Sequence, residues 1–454
     1  MAGQPALLVA VLLATGVAPI TDAAMREETG RLATQLGALR RIPLRGPLDR
    51  QLVTREEARA EIARSVTAAL TGSDMATEER VLQRLGLLPA GSDYIELLTQ
   101  SLNETPASSY DPASRRLYVA DWVPLERQRA ALAHEIAHAL ADQRFGLRRT
   151  LQISPDGGHR LDRDAERARE ALIEGDANTA ALELDDARGV FLGAHELPAL
   201  AERLRATATG NGRWQPWIRA VSLFTHVDGL LFVARVRARE TWSGVDALWL
   251  DPPQTTEQVL HPEKYEAREL GVRIDPAPLG ALEPGFRLGG GAVLGELGVR
   301  TWLATAVAPE VAARAAAGWG GDRAVLFVPP AERPVDAAAA PPSEPVLAWL
   351  TLWDDPLEAE DFARAACAAL ARLAGSPRVP ALDEAGRAVA RSGEQLYALG
   401  WRRDAVALLL GAPEGSESAL AEMLEGWQRL PPTAPVSRDA RRPHGDRERS
   451  PGRR

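Results

Sequence analysis

The chain has 454 residues, one cysteine and a formal charge of −9. It cannot carry an internal disulfide framework and is long enough for two or three domains, each with its own core. With 45% hydrophobic and 25% charged residues it is globular, and its acidic excess argues against nucleic acid or an anionic membrane as the main partner.

The first element is an apolar run, Ala6 to Ala18, too short to span a bilayer. It fits the hydrophobic stretch of a secretory signal over residues 1–24, with small residues at Thr21, Ala23 and Ala24 for cleavage. No cysteine follows, so export without a lipid or other stable membrane anchor is expected. A helical region, 25–104, comes next, with apolar residues at three-to-four spacing in Arg55–Leu70 and Glu78–Leu85. Asp111-Pro112 marks a turn between two strand-like runs, the second being Arg116–Ala120. Pro124 ends that region, and a long helix is predicted from Leu125 to Arg144. A loop, Ile153 to His159, leads to another helix over Leu161–Ala187, with further helices at Trp217–Ala238 and Thr256–Ala267.

From about Arg273 the texture changes. Pro276 to Gly291 reads as a linker, followed by a helix over Leu294–Ala317. Strands are expected at Arg323–Val328, Pro345–Trp353 and Gln395–Leu410, with a helix at Leu357–Leu373 and a low-complexity loop at Ala337–Pro342. The last residues, 431–454, hold seven arginines against three acids. They read as a disordered basic tail. A +4 tail on a −9 chain leaves about −13 for the rest. The expected fold class is therefore α+β and predominantly helical, with a core at 105–270 and an α+β region at 271–430.

Chemistry concentrates in His134-Glu135-Ile136-Ala137-His138. Spacing of four puts both imidazoles one turn apart on one helix face, where they can chelate a single zinc ion. Glu135 sits one residue round the helix, within reach of a water that the metal activates. Leu132, Ile136 and Leu140 form a separate stripe that can anchor the helix. With only seven histidines, chance predicts on the order of 0.01 such matches.

A third protein ligand is needed, leaving a fourth position open. Ala141 and Arg144 stand where a metzincin would require Gly and His. The candidates are His159, Asp164, Glu166, Glu170 and Glu174. Glu174 is favoured, because Ala171, Gly175, Ala177 and Ala181 around it are small and allow another helix to approach. Asn178, one turn on, is a candidate to hold a histidine N–H, with Asp176 a weaker one.

A HExxH helix followed by a glutamate on a later helix resembles the gluzincin class of zinc metallopeptidases. More closely, the chain resembles a group of uncharacterised, mostly exported bacterial gluzincin-like proteins. The likeness spans roughly residues 80 to 375. It rests on Tyr110-Asp-Pro, HEIAHALADQRFGL from His134, DAERAREALIEGDA from Asp164 and PPQTTEQVLHPEKY from Pro252, then on LGELG from Leu294, AAGWGGDR from Ala316 and Trp353-Asp354 with Glu358–Phe362. The resemblance implies a zincin-like core with a small sheet. Two positions depart from it. His226 replaces a tyrosine three residues before Gly229, and Glu240-Thr241 replaces paired glycines before Trp242. Gluzincins use a Tyr or His donor to stabilise the oxyanion, so His226 is a catalytic candidate, with a structural role as the alternative. His261, Tyr265, Tyr110 and Tyr118 are weaker candidates.

The sequence thus predicts a zinc-dependent peptidase acting on peptides or proteins. His134, His138 and Glu174 hold Zn²⁺, Glu135 acts as general base, and the strand near Leu117–Ala120 pairs with extended substrate. Two alternatives stand beside it. One is a zinc-bearing binding or scaffold protein without turnover. The other is an intracellular regulatory peptidase, since HEIAH with Glu174 and Asn178 is also similar to cytoplasmic regulators.

Overall fold

The computed structural model describes residues 20–432 except 71–72, 103–107, 155–157, 186–194, 210–214, 284 and 331–343. Residues 1–19 of the predicted signal, the Ala337–Pro342 loop and 433–454 of the tail lie outside the described residues. The fold is α+β and predominantly helical.

Thr21 caps the first helix, Asp22–Arg40, its side chain accepting from the Ala24 N–H. Met25, Leu32 and Leu36 of that helix are fully buried. Arg40, only 3% exposed, donates from Nε and Nη2 to Asp176 at 2.8 Å each, and from Nη1 to Asp246 at 3.0 Å. Trp249 Nε1 donates to Asp176 as well, at 2.6 Å. Asp176 is thus occupied as a structural clamp. Removing one partner of such a buried pair leaves an uncompensated charge, so the N-terminal helix is bound firmly to the helix that bears Glu174.

A three-stranded sheet follows, in the order Asp49–Val53, Arg116–Ala120, Ser108–Asp111. The outer strands run parallel and antiparallel, respectively, to the middle one. Asp111 makes the predicted turn, accepting from the Ala113 and Ser114 N–H groups. The expectation that Leu117–Ala120 offers a free edge is overturned, because this strand is central and both its ladders are filled. Ser108–Asp111 is the edge strand beside the motif helix. Asp49–Val53, from the N-terminal region, completes the sheet across the boundary drawn at 104/105.

The motif helix runs Leu125–Phe145 and the glutamate helix Arg163–Asp185. The predicted Trp217–Ala238 helix is three pieces: Pro216–Leu223, a π turn at Phe224–Asp228, and Gly229–Leu250. Among the described residues this stretch, Pro216–Leu250, is the one long and apolar enough to cross a membrane, but 72% of its apolar window is buried inside the protein. Proline splits two other predicted helices. Pro262 separates Thr256–Leu260 from Pro262–Glu266, and Pro309 starts a new helix, Pro309–Ala316, after Gly295–Leu303. Each proline lacks the N–H that would continue the preceding helix.

The C-terminal half is built on a six-stranded antiparallel sheet, ordered Arg287–Ala292, Trp319–Val328, Val346–Trp353, Ala405–Pro413, Gln395–Arg402, Arg387–Ser392. The predicted linker therefore contains an edge strand. Its glycines sit where a side chain would collide: a Cβ on Gly291 would lie 2.5 Å from Ala324 O, and one on Gly290 2.6 Å from Thr77 Oγ1. The Gln395–Leu410 run is a hairpin of two strands rather than one, reversing near Arg403, whose φ is 55°.

The two halves meet at a polar junction, buried around Asp322 and Asp164 and partly exposed around Lys264, built from the conspicuous sequence strings. Asp322 accepts from the Leu294 and Gly295 N–H groups and from the indoles of Trp319 and Trp349. Thr256 Oγ1 donates to Asp164 at 2.6 Å and accepts from the Leu297 N–H at 3.2 Å. Lys264 donates to Glu257 and Glu269 at 2.7 Å each and to Asp354.

Thr241 carries the clearest backbone strain, with φ 61° and ψ −170° in the middle of helix Gly229–Leu250. That region is essentially restricted to glycine and costs on the order of 1–3 kcal/mol for other residues. It accounts for the expectation of glycine here. Against glycine's entropic cost of about 0.5–1 kcal/mol, Thr241→Gly should raise unfolding free energy by about 1 kcal/mol. Denaturant titration checks this, and a less stable variant would show that the Thr241–Ser243 hydroxyl contact outweighs the strain.

Candidate metal centre

The motif helix is long enough to bury a full face, and Leu132, Ile136 and Leu140 are 0–1% exposed. With that stripe fixed in the core, His134 and His138 project together from the same helix, and their Nε2 atoms stand 3.0 Å apart. The glutamate helix crosses beside them. Glu174 Oε2 lies 3.2 Å from His134 Nε2 and 3.4 Å from His138 Nε2. Metal–ligand bonds of 2.0–2.2 Å in a tetrahedron place ligand atoms about 3.3 Å from one another, so these three separations suit one small cation. All three residues are buried at 1–5% exposure. Glu174 Oε2 also has no partner with hydrogen-bond geometry. An orphaned carboxylate oxygen between two imidazoles is what a metal ion would satisfy.

Electrostatics agree in direction. Burial alone would raise the Glu174 carboxyl, yet the imidazoles of His138, His226 and His134 around it hold it well below the ordinary range. Glu135 behaves oppositely. Burial pushes it up to about 8; His134 opposes this, Glu174 adds to it and the Tyr110 N–H opposes it. That N–H donates to Glu135 Oε2 at 2.7 Å, so the edge strand Ser108–Asp111 positions the carboxylate. No linear signal marks this contact, since it comes from backbone.

Glu174 reaches the histidines because two helices touch backbone to backbone. A Cβ on Gly175 would lie 2.2 Å from Gly229 O, and one on Gly229 2.2 Å from Ala171 O. The small residues around Glu174 thus admit a helix, as their pattern suggests, and that helix carries the π turn. His226, in this turn, places Nδ1 3.2 Å from Glu174 Oε2. Both its ring nitrogens nevertheless lack a partner with hydrogen-bond geometry. His226 is not among the residues whose donor atoms converge, which are His134, His138 and Glu174. It stands beside the cluster.

Other sequence candidates are placed elsewhere. His159 Nδ1 pairs with Glu166 at 2.7 Å, Asp164 is bonded by Thr256, and burial with the neighbouring Glu166 pushes Glu170 up to about 7. None of them joins the cluster. Asn178 does not hold a histidine N–H; it donates to the His226 carbonyl at 3.2 Å, tying down the π turn. His134 and His138 Nδ1 have no partner among the described residues. Tyr110 Oη donates to Asp142, and Tyr265 Oη to the Asp251 carbonyl. Tyr118 stays in the central strand, and His261 Nε2 contacts Glu296 at 3.0 Å. A second acidic group, Glu257, Glu269 and Asp354, is already filled by the Lys264 ammonium.

A family described as a domain of unknown function (DUF8575) matches residues 286–421. The match covers less than a third of the chain, takes in all six strands of the larger sheet and includes none of the cluster. No curated protein and no solved structure matches the chain.

Proposed function

We propose that the chain is a zinc-dependent peptidase with a zincin-like core, and that it acts on peptides or proteins after export. The observation that carries this is the convergence of His134, His138 and Glu174 around one point, with the Glu135 carboxylate close enough to feel the charges of His134 and Glu174. Their donor set, two imidazoles and a carboxylate, suits zinc. When bound, zinc supplies a Lewis acid that polarises a carbonyl and acidifies water. Glu135 takes the proton from the attacking water and returns it to the leaving amine. His226 donates a hydrogen bond to the oxygen on which charge develops, a role that needs a proton on Nδ1 or Nε2. Ser108–Asp111, the edge strand that already orients Glu135, offers its outer backbone groups to an extended chain.

One observation favours the second reading, a zinc-bearing scaffold. The cluster residues are 1–5% exposed, so a substrate reaches them only if neighbouring elements open. Metal analysis and a peptide library separate the two. The purified chain should carry about one zinc per molecule, and Glu174→Ala and His138→Ala should each lose most of it. Full zinc occupancy without cleavage of any library member would favour the scaffold. Recovery of an uncleaved Met1 form in the cytoplasm would oppose export.

A further inference from the structure

Tyr110 meets the motif helix twice. Its N–H donates to Glu135 Oε2 at 2.7 Å, and its Oη donates to Asp142 Oδ2 at 2.8 Å. Glu135 and Asp142 are seven residues apart on Leu125–Phe145, which puts them on one face of the helix, about 10 Å apart. One residue thus grips the helix at two points, from its backbone and from the tip of its side chain. Neither grip is loose. Tyr110 is 3% exposed, and Asp142 also accepts the Leu147 N–H through Oδ1 at 2.8 Å. Burial first, and then the charge of Asp142, push the Tyr110 hydroxyl up, so it remains a donor.

The rest of the edge strand has no such hold on the helix. Ser108, two residues earlier and on the same face, is buried with Oγ unpartnered among the described residues. Asp111 is engaged in the turn, accepting from the Ala113 and Ser114 N–H groups. The strand pairs with Arg116–Ala120 in register, Tyr110 opposite Leu117. Those ladder bonds fix its place in the sheet but leave its spacing from the helix open. That spacing decides where the Tyr110 N–H stands, and with it the Glu135 carboxylate.

We infer that Tyr110 is a positioning residue: its hydroxyl, anchored on Asp142, holds the edge strand at the spacing that aims Glu135. Its effect on turnover rests on the peptidase reading, whereas the brace itself is open to a test without substrate. A tyrosine whose Oη is bonded to a carboxylate does not serve an oxyanion, which separates this role from the one given to His226. Phenylalanine keeps the ring and the N–H, so Tyr110→Phe removes only the anchor. Asp142 is partly exposed and can turn to water instead.

Hydrogen exchange on the full chain, read by mass spectrometry at position 110, needs no activity. Tyr110→Phe should speed that amide by about tenfold, with the amides of Arg116–Ala120 at parental rates. Peptide hydrolysis is the second measurement. The kcat of Tyr110→Phe should fall by about tenfold to a hundredfold, the effect of a misplaced group, with KM within about twofold and zinc content unchanged. In a Glu135→Gln background the same substitution should lower the residual rate no further, because it acts through that carboxylate. Should Tyr110→Phe fail to fold, Asp142→Ala, which cuts the same bond from the other side, carries these comparisons. An unchanged amide at position 110, equal acceleration throughout the sheet, a raised KM at parental kcat, or a further loss in the Glu135→Gln background would overturn the inference. A parent chain that cleaves no peptide would remove the peptidase reading, and the exchange rates would then decide the brace by themselves.

Discussion

Glu135→Gln is expected to lower peptide hydrolysis by a factor of about 10²–10⁴, the usual contribution of a positioned proton-transfer group, with zinc content at the parental level. The two halves of that outcome rest on separate observations. Metal retention follows because Glu135 is not among the converging donors, which are His134, His138 and Glu174. Structural tolerance follows because glutamine is isosteric and its carbonyl oxygen can still accept the Tyr110 N–H, now 2.7 Å from Glu135 Oε2. The loss of turnover follows because an amide cannot accept and then return a proton. Burial is the largest influence on Glu135 and pushes its carboxyl up, and a buried carboxylate is suited to taking up and returning a proton. Turnover assays on the variant, paired with metal analysis, check this. A variant that cleaves like its parent removes Glu135 from the chemistry. One that loses zinc as well would assign it to holding the site together.

How much of this centre can be read in the sequence depends on how local each contact is. His134 and His138 are four residues apart, so helical geometry alone places them together, and the proline and glycine that bound their helix, Pro124 and Gly146, are visible. Glu174 is legible at one remove, through the small residues that flank it. His226 reaches the cluster through a π turn, whose extra residue per turn shifts the side chains beyond it, and nothing in Phe224–Asp228 announces that shift. The partner of Asn178 is a carbonyl of the same turn, and a backbone acceptor leaves no mark in a linear pattern of side chains. Non-local pairing hides the rest. Asp49–Val53 joins its sheet through Arg116–Ala120, more than sixty residues away. Arg287–Ala292 has too few side chains to show alternation, because its glycines are needed for close approach to Ala324 and Thr77. The long strings around Lys264, Gly295 and Asp322, on which much of the resemblance rests, serve the junction between the two halves rather than the cluster.

Gly175→Ala should be among the most damaging single-methyl additions in the protein, costing more than about 3 kcal/mol and most of the metal affinity. Helix propensity alone predicts the reverse sign, because alanine is better than glycine in a helix interior by about 1 kcal/mol. Packing decides. The added Cβ would stand 2.2 Å from Gly229 O and 2.8 Å from Val233 Cγ2. A carbonyl locked in a helix cannot rotate away, so the helices must part by about an ångström, at the high end of overpacking costs. Glu174 precedes this contact directly, and His226 lies three residues before Gly229, so separation pulls one ligand and its neighbour away from the histidines. Gly229→Ala should act alike, since its Cβ would meet Ala171 O at 2.2 Å. Gly30→Ala is the control with opposite sign: nothing lies within 4 Å of its added carbon, and stability should rise by up to about 1 kcal/mol. Thermal melts and zinc titrations of the three variants separate the effects. If Gly175→Ala melts with the parent and keeps its zinc, the close crossing does not hold Glu174 in place.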